Sequence, residues 1–151
     1  MRKLILTVFT LLLGAALAGA NDFSQHHCGL WTLSGDYGLA ISGTRPAPGV
    51  TPLMIEQMIG TAIDTFNGDG TFTQTDNIHG SISGYPASAV DRPGSGSYTL
   101  NSNCTGTMLL NNEGSPQLTL SIVVVDEGRE IRIAVVAPPP VLVTSNARKI
   151  H

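Results

Sequence analysis

Gln117-Leu-Thr-Leu-Ser-Ile-Val-Val-Val-Asp-Glu-Gly-Arg-Glu-Ile-Arg-Ile-Ala-Val-Val-Ala137 is the stretch whose reading decides the fold. Leu118, Leu120, Ile122 and Val124 recur every second residue, the period of a strand with one buried face. Asp126-Glu127-Gly128-Arg129 then reads as a turn. Glu130 to Ala137 returns with Ile131, Ile133 and Val135 on one face. Two alternating runs around a Gly-containing turn predict an antiparallel hairpin.

The same pattern extends in both directions. Downstream, Pro138-Pro139-Pro140 breaks the ladder, because proline donates no hydrogen bond, and Val141 to Ala147 forms a last strand. Upstream, Leu33 to Ser42 alternates with Tyr37, Leu39 and Ile41 on one face. Gly43 to Pro52 is a proline-rich loop. Gly60 to Phe66 and Thr71 to His79 flank Asn67-Gly68-Asp69-Gly70, a strong tight-turn signal. Gly80 to Gly94 reads as a long surface loop. Ser95 to Asn101 and Cys104 to Leu110 form a further pair, and Asn111 to Pro116 a turn. The one helix signal is Pro52 to Ile59, with Thr51 as cap and Pro52 at the first helical position; a loop entering a strand is the competing reading.

The sum is an all-β chain of about eight antiparallel strands with mostly short connections. Closing them into an up-and-down barrel removes exposed edges. An open sandwich is the alternative, and the short hairpins disfavour its crossovers.

Gly35-x-Tyr37, Phe66-x-Gly68-x-Gly70-x-Phe72, Gly96-x-Tyr98-Thr99-Leu100-Asn101 and Cys104-Thr105-Gly106-Thr107 form a spaced set. In these motifs the chain resembles small exported bacterial proteins with a calycin-like barrel, similar to the allene oxide cyclase barrel. The resemblance spans roughly residues 30–137. It implies a barrel with an internal pocket and transfers no catalytic residue.

The N-terminus sets the compartment. Arg2 and Lys3 precede an apolar run, Leu4 to Leu17, and Ala18-Gly19-Ala20 offers the small residues of a signal-peptidase site. The run is short for a membrane span and is followed by polar residues, so residues 1–20 read as a cleaved signal rather than a retained anchor. A secreted or periplasmic domain, residues 21–151, follows; its 131 residues are ample for one core. The whole chain has a net charge of −3; without Arg2 and Lys3 it is −5. Mild acidity and scattered basic residues argue against nucleic acid and anionic membranes as partners. Export also predicts a disulfide between Cys28 and Cys104, with two buried free thiols as the competing reading.

Chemistry-bearing residues are sparse. His26-His27-Cys28 carries soft metal-ligand types, but adjacent histidines point apart in extended chain and Cys28 has its bridge, so no metal is expected. Asp64, Asp69, Asp76 and Asn77 surround a turn without the spacing of a calcium loop. Gly80-Ser-Ile-Ser-Gly84 misplaces its serine for a nucleophile elbow. If Phe72 and Ile78 face inward, so do Gln74 and Asp76, and a carboxylate inside a barrel is desolvated. Asp64 and Asp76 are thus the carboxylates considered as general acid or base, with Asp76 the weak catalytic candidate; if the strand turns Thr73 and Thr75 to the core instead, Asp76 faces solvent. Trp31, Tyr37, Phe72 and Tyr98 are the candidate pocket residues. The expected function is binding of a small apolar molecule in the barrel, without a cofactor. A cyclase or isomerase acting on a lipid-like substrate, and a packed structural or interaction module, are the alternatives.

Overall fold

In the computed structural model, which describes residues 27–84 and 90–150, the chain forms a closed barrel of eight antiparallel strands, each paired with its sequence neighbours. The strands are β1 (Ser34–Pro46), β2 (Ile55–Asn67), β3 (Thr71–Gly80), β4 (Arg92–Leu100), β5 (Thr105–Asn112), β6 (Leu118–Val125), β7 (Glu130–Ala137) and β8 (Leu142–Lys149). β8 returns to pair with β1, Tyr37 opposite Lys149 through Thr44 opposite Leu142, which closes the ladder. The predicted signal segment and His26 lie outside the described residues.

The deciding hairpin forms as its pattern requires. Leu120, Ile122 and Val124 of β6 and Ile131, Ile133 and Val135 of β7 are buried. Between them, Asp126, Glu127 and Gly128 all take positive φ. Gly128 sits against the backbone of Thr32, where an added Cβ would lie 2.6 Å from the carbonyl oxygen. Pro138–Pro140 separates two antiparallel neighbours rather than kinking one strand.

Three segments differ from the sequence reading: β1 runs on to Pro46, into the stretch read as a proline-rich loop. β2 begins at Ile55, so the helical option for Pro52 to Ile59 gives way to a strand. The reason is side-chain direction: Glu56 and Met58 are buried while Ile55 and Ile59 are exposed, a period of two. β4 begins at Arg92, inside the stretch assigned to the long loop. Its inward positions include Gly94 and Gly96, which carry no hydropathy signal.

The outer face of β3 and β4 carries Thr71, Thr73, Thr75, Ser95, Ser97 and Thr99, while β2 turns Ile55, Ile59 and Ile63 outward and β7 and β8 expose Val136 and Leu142. The interior is largely apolar. Among the described residues no helix is long and apolar enough to cross a membrane.

Candidate ligand cavity

The barrel is packed at one end and hollow at the other. At the packed end Phe66 is the hub: its ring lies 5.2 Å from Tyr37 and 5.3 Å from Tyr98, both edge-on, and 5.5 Å from Phe72, stacked. Gly96 makes room for this cluster, since a Cβ there would come within 2.7 Å of the Phe72 ring. A single 3-10 turn, Leu30–Thr32, caps the end. The Tyr98 hydroxyl donates to the carbonyls of Leu30 and Leu33, at 2.7 and 3.1 Å, and the Tyr37 hydroxyl to that of Gly128. Burial, and then mutual repulsion with Tyr98, push the Tyr37 hydroxyl above its ordinary pKa. A disulfide joins Cys28 to Cys104 across 76 residues and ties the cap to the β4–β5 turn.

The other end encloses a cavity of about 390 Å3. Small-molecule pockets span roughly 300–1,000 Å3. Leu39, Ile41, Met58, Ile78, Met108, Leu110, Leu120, Ile133, Val135 and Val143 form its apolar wall. Pro46, Pro48, Pro116 and the Pro138–Pro140 run also line it. At the same end Glu56 anchors the Ser81–Gly84 turn. Its carboxylate accepts from the Ile82 and Ser83 backbone N–H groups, the Ser83 hydroxyl and Arg45. Burial works to raise this carboxyl, but the Ser83 and Ile82 N–H groups, Arg45 and the Ser83 hydroxyl together hold it at about 2.

One side of the cavity is polar. Asp64 of β2, Gln74 of β3, Gly94 of β4 and Asn112 of β5 are successive register partners, so they form one row across four strands. Asp64, Gln74 and Asn112 are all buried, and so is Asp76, two residues along β3 from Gln74. Asn112 lies against Gly94, which only a glycine permits: a Cβ there would fall 2.0 Å from Asn112 Oδ1. Arg92 grips Asp76 through two bonds, Nε to Oδ1 at 2.9 Å and Nη2 to Oδ2 at 2.8 Å, and its Nη1 reaches Ser115. Asn112 Nδ2 adds a bond to Asp76 Oδ2 at 3.3 Å. Gln74 Nε2 donates to Asp64 Oδ1 at 2.9 Å.

Among the described residues, three buried side-chain oxygens have no hydrogen-bond partner: Asp64 Oδ2, Gln74 Oε1 and Asn112 Oδ1. Buried polar atoms are rarely left so. Burial is the main influence on Asp64, opposed by the Gln74 hydrogen bond and reinforced by the Asp76 charge. Its carboxyl is pushed up to about 7.

The residues singled out from sequence therefore divide. Asp76 faces inward, as the alternation predicts, but both of its oxygens are committed to Arg92. Tyr37, Phe72 and Tyr98 lie in the packed cluster and are not part of the cavity wall; aromatic rings at the same barrel level satisfy one another edge to face. Trp31 is 72% exposed beside the cap, where it lines a second, more open hollow with Cys28, Thr32 and Cys104 rather than the barrel cavity. Asp69 stays in its turn, accepting from Thr71, while Asp64 and Asp76 face inward, so the carboxylates around this hairpin do not converge. Cys28 carries a disulfide sulfur rather than a thiolate.

The sequence pattern puts Arg92 in a loop and Asn112 in a turn and singles out neither, whereas they stand on β4 and β5. The available signal was the alternation Arg92, Gly94, Gly96, Tyr98, legible only if glycine is read as an inward residue.

No protein-family model and no curated protein matches the sequence. What the fold and cavity define is a class: a closed eight-stranded up-and-down barrel, disulfide-tied at its packed end and hollow at the other.

Proposed function

We propose that this protein is an exported carrier or sensor that binds a small, largely apolar molecule in the hollow half of its barrel. The observation that carries the reading is the 390 Å3 cavity, walled by aliphatic side chains and furnished with a short polar row. Burial of apolar ligand surface would supply affinity, at about 0.8 kcal/mol per methylene, and the row would fix orientation. The signal-like N-terminus and the disulfide support export, since such bonds persist in oxidising compartments. The calycin-like resemblance belongs to the same proposal.

Asp64 favours a second reading, a cyclase or isomerase. A carboxyl on the cavity wall whose proton is held near neutrality has the affinity a general acid or base needs. Asp64 suits that role better than Asp76, whose oxygens are occupied.

Native mass spectrometry on protein purified from its own host tests the binding reading. A non-covalent adduct of small-molecule mass, lost on denaturation and absent from a cavity-filling Leu110→Trp variant, is the expected result. Bare protein in both, with no uptake of added octan-1-ol, would contradict it.

A further inference from the structure

The polar row has a sign. All three of its unpartnered buried atoms are acceptors: a carboxylate oxygen and two amide oxygens. No unpartnered buried side-chain donor accompanies them among the described residues. The basic side chains in the cavity wall, Arg45 and Arg92, are each bound to another carboxylate, Glu56 and Asp76. Above about pH 7, where it is ionised, Asp64 is thus a negative charge without an ion-pair partner, in a wall whose other charged side chains are ion-paired.

We propose that the cavity selects amphipathic primary amines, an aliphatic body against the apolar wall and an ammonium head on the Asp64–Gln74–Asn112 row. This rests on the binding reading above and adds the chemistry of the ligand's head. An ammonium brings N–H donors and one positive charge to a row whose unpartnered atoms are all acceptors, one of them on an uncompensated carboxylate. Charge-assisted hydrogen bonds of this kind are about twice as strong as neutral ones. A hydroxyl head offers one donor and no charge. A fatty-acid head would set acceptor against acceptor and carboxylate against carboxylate. Gly94 lets the Asn112 amide oxygen lie in the row, because a Cβ there would fall 2.0 Å from it.

Three probes with the same eight-carbon body, octylamine, octan-1-ol and octanoate, separate the possibilities by calorimetric titration of the mature protein. The amine is expected to bind about tenfold or more tighter than the alcohol, and octanoate weakest, as a hydrogen bond to a charged group implies. In Asp64→Asn the amine's advantage should collapse while alcohol affinity changes less than about threefold. Equal affinity for amine and alcohol, or preference for octanoate, would overturn the head-group inference and leave the cavity reading standing. No binding of any probe would overturn both. The selectivity series is read on the unmutated protein, so it does not depend on the variant folding.

Discussion

The two ends of the barrel are built from the same strands and differ in what their inward positions hold. At the closed end Phe66, Phe72, Tyr37 and Tyr98 fill the lumen, and the tyrosine hydroxyls are met by backbone carbonyls of the cap and the β6–β7 turn. At the open end the aliphatic side chains are too short to meet across the lumen, and glycine stands at Gly94 where a side chain would intrude. A barrel of eight strands is just wide enough for either outcome. The difference teaches that ring size at a few inward positions, rather than strand number, decides whether this barrel is plugged or hollow.

The sharpest way to break the comparison is to remove one side chain from each end. Phe66→Ala should destabilise the protein by about 4 kcal/mol, because it opens a void among three rings; Leu120→Ala, facing space already empty, should cost about 2 kcal/mol. Denaturant midpoints at constant slope measure both. Equal costs would mean the cavity wall is packed as tightly as the plug.

The buried carboxylates give a second contrast. Asp64 holds its proton to about pH 7 in the folded state against 3.8 in the unfolded chain. The folded state therefore binds the extra proton, and stability falls as pH rises from about 4 to about 7, by up to about 4 kcal/mol, then levels. Glu56, held at about 2 against an ordinary 4.5, acts in the opposite sense: its contribution is present above pH 4.5 and is lost as pH falls towards 2. Stability profiles of Asp64→Asn and Glu56→Gln, each subtracted from the parent, should slope in opposite directions over these separate windows. A flat Asp64 difference profile would remove the desolvated carboxyl from the account.

Replacing Cys28 and Cys104 together with Ser should cost about 4 kcal/mol from the freed 76-residue separation, and leave probe affinity unchanged, since the bond ties only the closed end. A loss of binding in step with stability would show the two ends to be coupled. The smallest effect belongs to Trp31→Ala. Its side chain lies outside the barrel, so stability should shift by no more than about 0.5 kcal/mol. The emission of this lone tryptophan should also stay constant as the cavity fills.

Alternation made most of the barrel legible in the sequence, because a one-sided core leaves a two-residue period wherever both faces have distinct side chains. It placed Leu118 to Val124, Ile131 to Val135 and the Asp76 direction correctly. It failed where inward positions are glycine, in β4, and where an inward charge mimics a surface residue, at Glu56. The candidate site was half legible. Asp64, Gln74 and Asp76 lie on segments whose period was clear, but Arg92 and Asn112 reach the row only through strand register, a long-range property that no local pattern records. The aromatic residues were attractive pocket candidates because their size is visible in sequence; that they lie within about 5.5 Å of one another is not.

The central claim, that the open half of the barrel admits a ligand and the closed half does not, is tested most directly by methyl-resolved NMR during titration with octylamine. The account predicts shifts at Ile78, Met108, Leu110 and Val135, which line the cavity, with Leu33, Ile122 and Ile131 unmoved at the packed end. Shifts confined to the outward-facing Ile59 and Ile63, or no shifts at all, would contradict it.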